Sequence, residues 1–155
     1  DIFVILSGDQ LYRMDFSKMV DEHIERGAEI TVAAKPIPTD EAMGLGLLRV
    51  DEGYNIVDFV EKPTDPEVIS RLVPPELKNK DGEGDRCLAS MGIYVFNASA
   101  MFDALEGDST DFGKEIIPSL VGNSIMVLDS TVNLSGASAN NILSSSMLRV
   151  NNLNS

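Results

Sequence analysis

Only one cysteine, Cys87, and one histidine, His23, occur among the 155 residues. No disulfide can form within the chain, and a zinc site built from cysteine and histidine is excluded with it. No apolar stretch approaches the roughly 20 residues that a membrane helix needs. Cations are scarce too: 12 Lys and Arg stand against 25 Asp and Glu, a formal net charge of −13. The summed field repels phosphate backbones and anionic lipid, so nucleic acid and membrane surfaces are excluded as partners. An anionic small substrate then requires local cations or a bound metal. With no signal peptide visible, a cytoplasmic location is expected.

What remains is a chain with 43% hydrophobic residues, enough for one main folded unit with a sizeable core. "DIFVIL" reads as a strand buried on both faces. "DFSKMVDEHIERG" places Phe16, Met19, Val20 and Ile24 at helical spacing, with Asp15 as N-cap and Gly27 as stop. "EITVAAKP" is a second strand of high β-propensity, completing a right-handed βαβ unit. The expected sheet is mostly parallel. "GLLRVDEGYNIVDFVEKP" reads as a hairpin of strands 46–50 and 55–61. A short helix is expected at 65–72, then a surface loop rich in proline and charge. "LASMGIYVF" is a further strand, leading into a helix capped by Asn97 with Met101, Phe102 and Leu105 as its stripe. "TDFGKEIIPSLV" then brings Phe112, Ile116, Ile117 and Leu120 onto one face. After Gly122 serine and asparagine dominate. Leu128 and Leu134, and Ile142 and Leu148, are six apart, as in the rungs of a hexapeptide β-helix; a disordered polar tail is the equal alternative.

Several short motifs can carry chemistry. Asp9 stands just past the first strand, where open α/β sheets bind ligands, and Gly8 removes bulk beside it. A carboxylate there can hold Mg²⁺ together with phosphate oxygens and waters, although a turn-forming Asp before a helix has the same spacing. In "EKP", Pro63 is expected to hold Lys62 extended, with its ammonium offered to a phosphate and the Glu61 carboxylate to sugar hydroxyls. A solvated ion pair at a strand end is the alternative. Gly92 interrupts a strand, which marks close approach of a ligand or of another backbone, and Ser90 supplies a hydroxyl nearby. Asp111 reads first as an N-cap; no other kinase element accompanies its "DFG". His23 reads as a surface or boundary residue, and the methionines as packing residues.

In this order, "LSGDQLYRMD", "EITVAAKP", "LGLLRVD", "FVEKP", "ASMGIYVF" and "DFGKEIIP" resemble the glucose-1-phosphate adenylyltransferases, the ADP-glucose pyrophosphorylases. The resemblance covers Asp1 to about Val121. It implies a Rossmann-like α/β nucleotidyltransferase domain with a mostly parallel sheet, here residues 1–124, followed by a left-handed β-helix of which 125–155 is a fragment. The substrates implied are ATP and glucose 1-phosphate, with Mg²⁺ as cofactor and a homotetramer as assembly. Asp9 matches the family's Mg²⁺-binding aspartate, and Asp9 with Lys62 forms the implied catalytic pair. Glu61 and Lys62 match contacts to glucose 1-phosphate. Gly46, Ser90 and Gly92 match positions lining the sugar pocket, and Asp111 an acidic residue near it. Gln10 stands where many members have His. The family's Gly-rich phosphate loop and its second metal-binding Asp, in a tryptophan-containing motif, have no counterpart, and the sequence contains no Trp. Segments before Asp1 and near 123–127 are therefore expected to be missing. The alternatives are another sugar-1-phosphate nucleotidyltransferase and a non-catalytic regulatory subunit of the same family.

Overall fold

The computed structural model describes residues 1–7, 15–51, 56–79, 82, 84–106, 111–121, 125–129 and 147–149, the last two by backbone alone. Seven strands form one sheet: β1 (Ile2–Leu6), β2 (Ile30–Pro38), β3 (Gly46–Val50), β4 (Ile56–Glu61), β5 (Arg86–Asn97), β6 (Ile125–Asp129) and β7 (Met147–Arg149). The helices are α1 (Phe16–Glu25), α2 (Pro66–Arg71), α3 (Ala98–Leu105) and α4 (Ile117–Leu120), with a π-helical turn at Phe112–Ile116 leading into α4.

The strand order is β4-β3-β5-β2-β6-β7, with β1 also paired to β5. Only β2 with β6 is parallel; the other five pairings are antiparallel. The expectation of a mostly parallel sheet is therefore corrected. The βαβ unit does exist, and β1 and β2 run the same way, but β5 lies between them. Val95 of β5 is paired with Val4 on one side and Thr31 on the other. The order strand, helix, strand establishes direction but not adjacency, and a strand arriving from much later in the chain has taken the intervening place.

Apolar residues alternate along β2, so the sheet is covered on both faces. Ile30, Val32 and Ala34 join Leu48, Ile56, Leu88 and Phe96 in one core, closed by Ile116, Ile117 and Leu120. Ala33 packs with Met19, Ile93 and Val95 beneath α1. A third cluster collects Ile37, Leu47 and Cys87 against Ile69 and Leu72 of the α2 region. The first strand departs from its expected burial: Phe3, Val4 and Leu6 are each about two-fifths exposed. Among the described residues, β1 is hydrogen-bonded only to β5. The expected left-handed β-helix is not seen among the described residues, where β6 and β7 extend the sheet instead. No helix among them is long and apolar enough to cross a membrane.

Local capping follows the sequence. The Asp15 carboxylate accepts from the Lys18 N–H (3.3 Å), and Asp65 accepts from the Glu67 N–H (2.9 Å) at the start of α2. His23 does not follow it. The helix turns His23 toward the sheet, 1% exposed, and leaves Ile24 in solvent. The Asn97 amide donates to the Ala28 carbonyl (3.0 Å), so its Oδ1 must face His23 Nε2 at 3.1 Å and accept from it. Nε2 therefore carries the proton, and Nδ1 accepts from the buried Thr31 hydroxyl at 2.7 Å. Asn97, read as the side-chain cap of α3, makes no cap hydrogen bond because its amide is used here.

Burial pushes the His23 imidazole below its ordinary 6.5, with the Asn97 hydrogen bond opposing in part. Below that value the unfolded chain gains a proton that the folded protein refuses, so stability falls as pH drops through 6.5 toward the lowered folded value; above 6.5 the effect vanishes. Urea unfolding between about pH 7 and about pH 5 is expected to show this decline, and His23→Gln to flatten it. Equal slopes in the two proteins would remove His23 as its source.

Candidate functional site

The β3–β4 hairpin places Gly46 opposite Glu61. A β-carbon on Gly46 would stand 2.6 Å from Glu61 Oε2 and 2.8 Å from Cζ of the buried Phe59 ring. A β-carbon on Gly113 would likewise stand 2.7 Å from the same oxygen and 2.8 Å from Glu61 Cδ. The carboxylate thus occupies space that two side chains would otherwise fill. Its side chain is 19% exposed, and Oε1 lies 3.8 Å from the Nζ of Lys62, which is largely in solvent. A contact this long with one partner so exposed contributes little to stability. Its consequence is chemical: a largely buried acceptor stands beside an exposed cation.

Lys62 is not extended, as the residue before a proline was expected to be. Its φ is +48°, making it the one non-glycine residue with positive φ among those described. The Lys62 N–H donates to the Leu45 carbonyl (3.0 Å), just before β3 begins, and Pro63 is buried. Closing the hairpin base and burying the proline together override the usual preference, at a strain of order 1–3 kcal/mol. Non-glycine residues held in this region cluster at functional sites.

Ser90 and Gly92 lie in a bulge of β5. Val32 is paired with Tyr94 and Ala34 with Ser90, so Met91, Gly92 and Ile93 together oppose Ala33 alone. Gly92 has φ +67°, and a β-carbon there would stand 3.1 Å from that of Ser7. Its carbonyl accepts from the Ser7 N–H (3.1 Å), and its own N–H donates to Ser90 Oγ (3.2 Å), which lies 3.3 Å from the Tyr94 hydroxyl. The bulge therefore anchors the end of β1, two residues before Asp9. On the same edge of β5, Leu47 is paired with Ala89, which sets Gly46 beside Ser90. Along this edge of β5 the end of β1 and the start of β3 are therefore neighbours. Asp9 and Gln10 lie outside the described residues.

Asp111 caps the π-helical turn. Its carboxylate accepts from the Lys114 N–H (2.9 Å), and its own N–H donates to Glu115 Oε2 (3.2 Å). Gly46, Glu61, Lys62 and Ser90 are thus brought together along one line of the sheet, and Gly92 sits at the neighbouring bulge. Asp111 belongs to the turn that carries Gly113. Gly113 escaped sequence reasoning; its signal was a glycine inside a helical motif, at a position where glycine costs stability. Cys87 is fully buried, and burial pushes its thiol up, so it is no nucleophile.

A profile of the nucleotidyl transferase family matches residues 1–134. The chain belongs to that family. Two curated glucose-1-phosphate adenylyltransferases of Rhodospirillum rubrum are each 43% identical to it over 130 residues, 80% of this chain and 28% of theirs. The chain thus spans little more than a quarter of the length of these relatives. As a nucleotidyl transferase it has α/β content and carries the paired "EKP" charges at the end of β4.

Replacing Gly46 by Ala tests the packing. The new methyl meets both the carboxylate and the buried Phe59 ring, and a loss of about 1–3 kcal/mol in unfolding free energy is expected from denaturant titration. Unchanged stability would show that the carboxylate and ring are not held against Gly46.

Proposed function

We propose that this chain carries the sugar-phosphate side of a glucose-1-phosphate adenylyltransferase, joining ATP and glucose 1-phosphate into ADP-glucose and pyrophosphate. The observation that carries the reading is the Glu61 carboxylate, held between two glycines and adjacent to the Lys62 ammonium. The 43% identity to relatives bearing that name supports the choice of nucleotide and sugar. A hexose 1-phosphate offers hydroxyls to a fixed acceptor and a dianion to a cation, and this pair supplies one of each.

The reaction needs no protein nucleophile. An oxygen of the sugar phosphate attacks the α-phosphorus of ATP, the bond from that phosphorus to the bridging β-oxygen breaks, and pyrophosphate leaves with the electron pair. Catalysis of such a step is alignment of two anions and neutralisation of their charge. Glu61 orients the sugar by accepting from its hydroxyls, and Lys62 holds the phosphate that attacks. In a chain of net charge −13, such a cation is what lets an anion approach.

The carboxylate that the sequence supplies just after β1, Asp9, is an oxygen donor of the kind Mg²⁺ takes. Among the described residues there is no cluster of three or more His, Cys, Asp or Glu, and Mg²⁺ needs none when substrate phosphates complete its shell. Asp9, following the strand end that Ser7 and Gly92 hold together, would be its carboxylate ligand. When bound, Mg²⁺ would neutralise phosphate charge. Assembly as a homotetramer, with a β-helix domain and in the cytoplasm, belongs to the same reading and is carried by the resemblance alone.

Pyrophosphate release by the full-length protein with ATP, UTP, dTTP and GTP tests the reading, with activity expected for ATP. Lys62→Ala is expected to raise the KM for glucose 1-phosphate by about 10-fold or more, leaving that for ATP nearly unchanged. Equal effects on both would remove Lys62 from the sugar phosphate. Asp9→Ala is expected to abolish turnover at ordinary Mg²⁺, and retained activity would refute its ligand role.

A further inference from the structure

We propose that Gly113 is a positioning residue. The absence of a side chain at this point of the turn Phe112–Ile116 sets where the Glu61 carboxylate stands, and so which arrangement of hydroxyls the site accepts in a hexose 1-phosphate. The inference deepens the proposed function and rests on its reading of Glu61 as the sugar contact.

Gly113 is not required by the backbone, since it is absent from the glycines with positive φ. A glycine within a helical turn weakens that turn, so its presence calls for another reason. Space is that reason: a β-carbon would stand 2.7 Å from Glu61 Oε2, 2.8 Å from Cδ and 3.1 Å from Oε1, touching the whole carboxylate.

The turn cannot retreat to make room. Its first residues are tied by the reciprocal Asp111 hydrogen bonds to Lys114 and Glu115. Its width is set by i to i−5 bonds, the Ile116 N–H donating to the Asp111 carbonyl (3.1 Å) and the Ile117 N–H to that of Phe112. Such π-helical turns recur at functional sites. Ile116 and Ile117 are fully buried, and the Phe112 ring stacks on Tyr94 (6.2 Å) and meets Phe96 edge-on (6.0 Å). Gly46, paired with Glu61 across the β3–β4 ladder, leaves space at the same carboxylate oxygen. With the turn tied and packed in this way, an added methyl on Gly113 displaces the free end of the Glu61 side chain. The space left at Gly113 therefore limits where the acceptor oxygens stand.

The test compares the unaltered protein with Gly113→Ala and Glu61→Gln. The Glu61 carboxyl carbon is followed by NMR, and the Kd for glucose 1-phosphate and for ATP by separate calorimetric titrations. In Gly113→Ala the carboxyl resonance is expected to move, and the Kd for glucose 1-phosphate to rise on the order of 10- to 100-fold with that for ATP unaltered. An unmoved resonance overturns the inference, whatever happens to binding. A moved resonance with unchanged affinity for glucose 1-phosphate also overturns it. In that case Glu61→Gln separates the two ideas: weakened sugar-phosphate binding there leaves the proposed function standing, and unchanged binding removes Glu61 from the sugar as well. If Gly113→Ala does not fold, the shorter side chain of Glu61→Asp in the same protein is expected to restore a cooperative thermal transition. Failure of that rescue overturns the inference.

Discussion

Everything in the candidate site depends on one strand, β5, being shared along a single edge by β1 and β3 in turn. β1 occupies residues 93–97 of that edge and β3 occupies 88–89. Between them the strand must bulge, and Gly92 supplies the left-handed backbone and the close approach to Ser7 that the bulge requires. The gap that results is where the first strand ends and the β3–β4 hairpin begins. A regular strand at this position would have no such break.

The hairpin then solves a second problem, that of holding a carboxylate still without a strong ion pair. Packing does so here. Two glycines admit Glu61 where ordinary residues would exclude it, and the hydrogen bond from Lys62 to Leu45 fixes the turn that follows. The strain in the Lys62 backbone is tolerated because Pro63 and the hairpin base are buried around it. An acceptor whose position is set by shape loses little conformational entropy when ligand arrives, and this is preorganisation in its simplest form. Lys62, by contrast, has its side chain largely in solvent.

The features legible in the sequence were those with local causes. The caps at Asp15 and Asp111, the short helix after Asp65, the hairpin, and the importance of Gly92 all arise from residues a few positions apart. What was not legible depends on partners far along the chain. His23 can be buried because Asn97, 74 residues later, accepts the hydrogen bond from its Nε2–H. The sheet is mainly antiparallel because β5 inserts between β1 and β2, which no pattern within the βαβ unit reveals. Gly113 faces Glu61 only after the turn has docked on the β5 aromatics. Lys62 shows the converse: a sound local rule about residues before proline gave way to tertiary packing.

Glu61 and Lys62, brought beside the β5 bulge, are proposed to bind the sugar phosphate of a nucleotidyl transferase. A crystal structure of the protein with glucose 1-phosphate is the decisive measurement. The hexose hydroxyls are expected within hydrogen-bond distance of Glu61, with that carboxylate still against Gly46 and Gly113, and the phosphate at the Lys62 ammonium. A sugar phosphate bound elsewhere, or a Glu61 side chain turned out from between the two glycines, would contradict it.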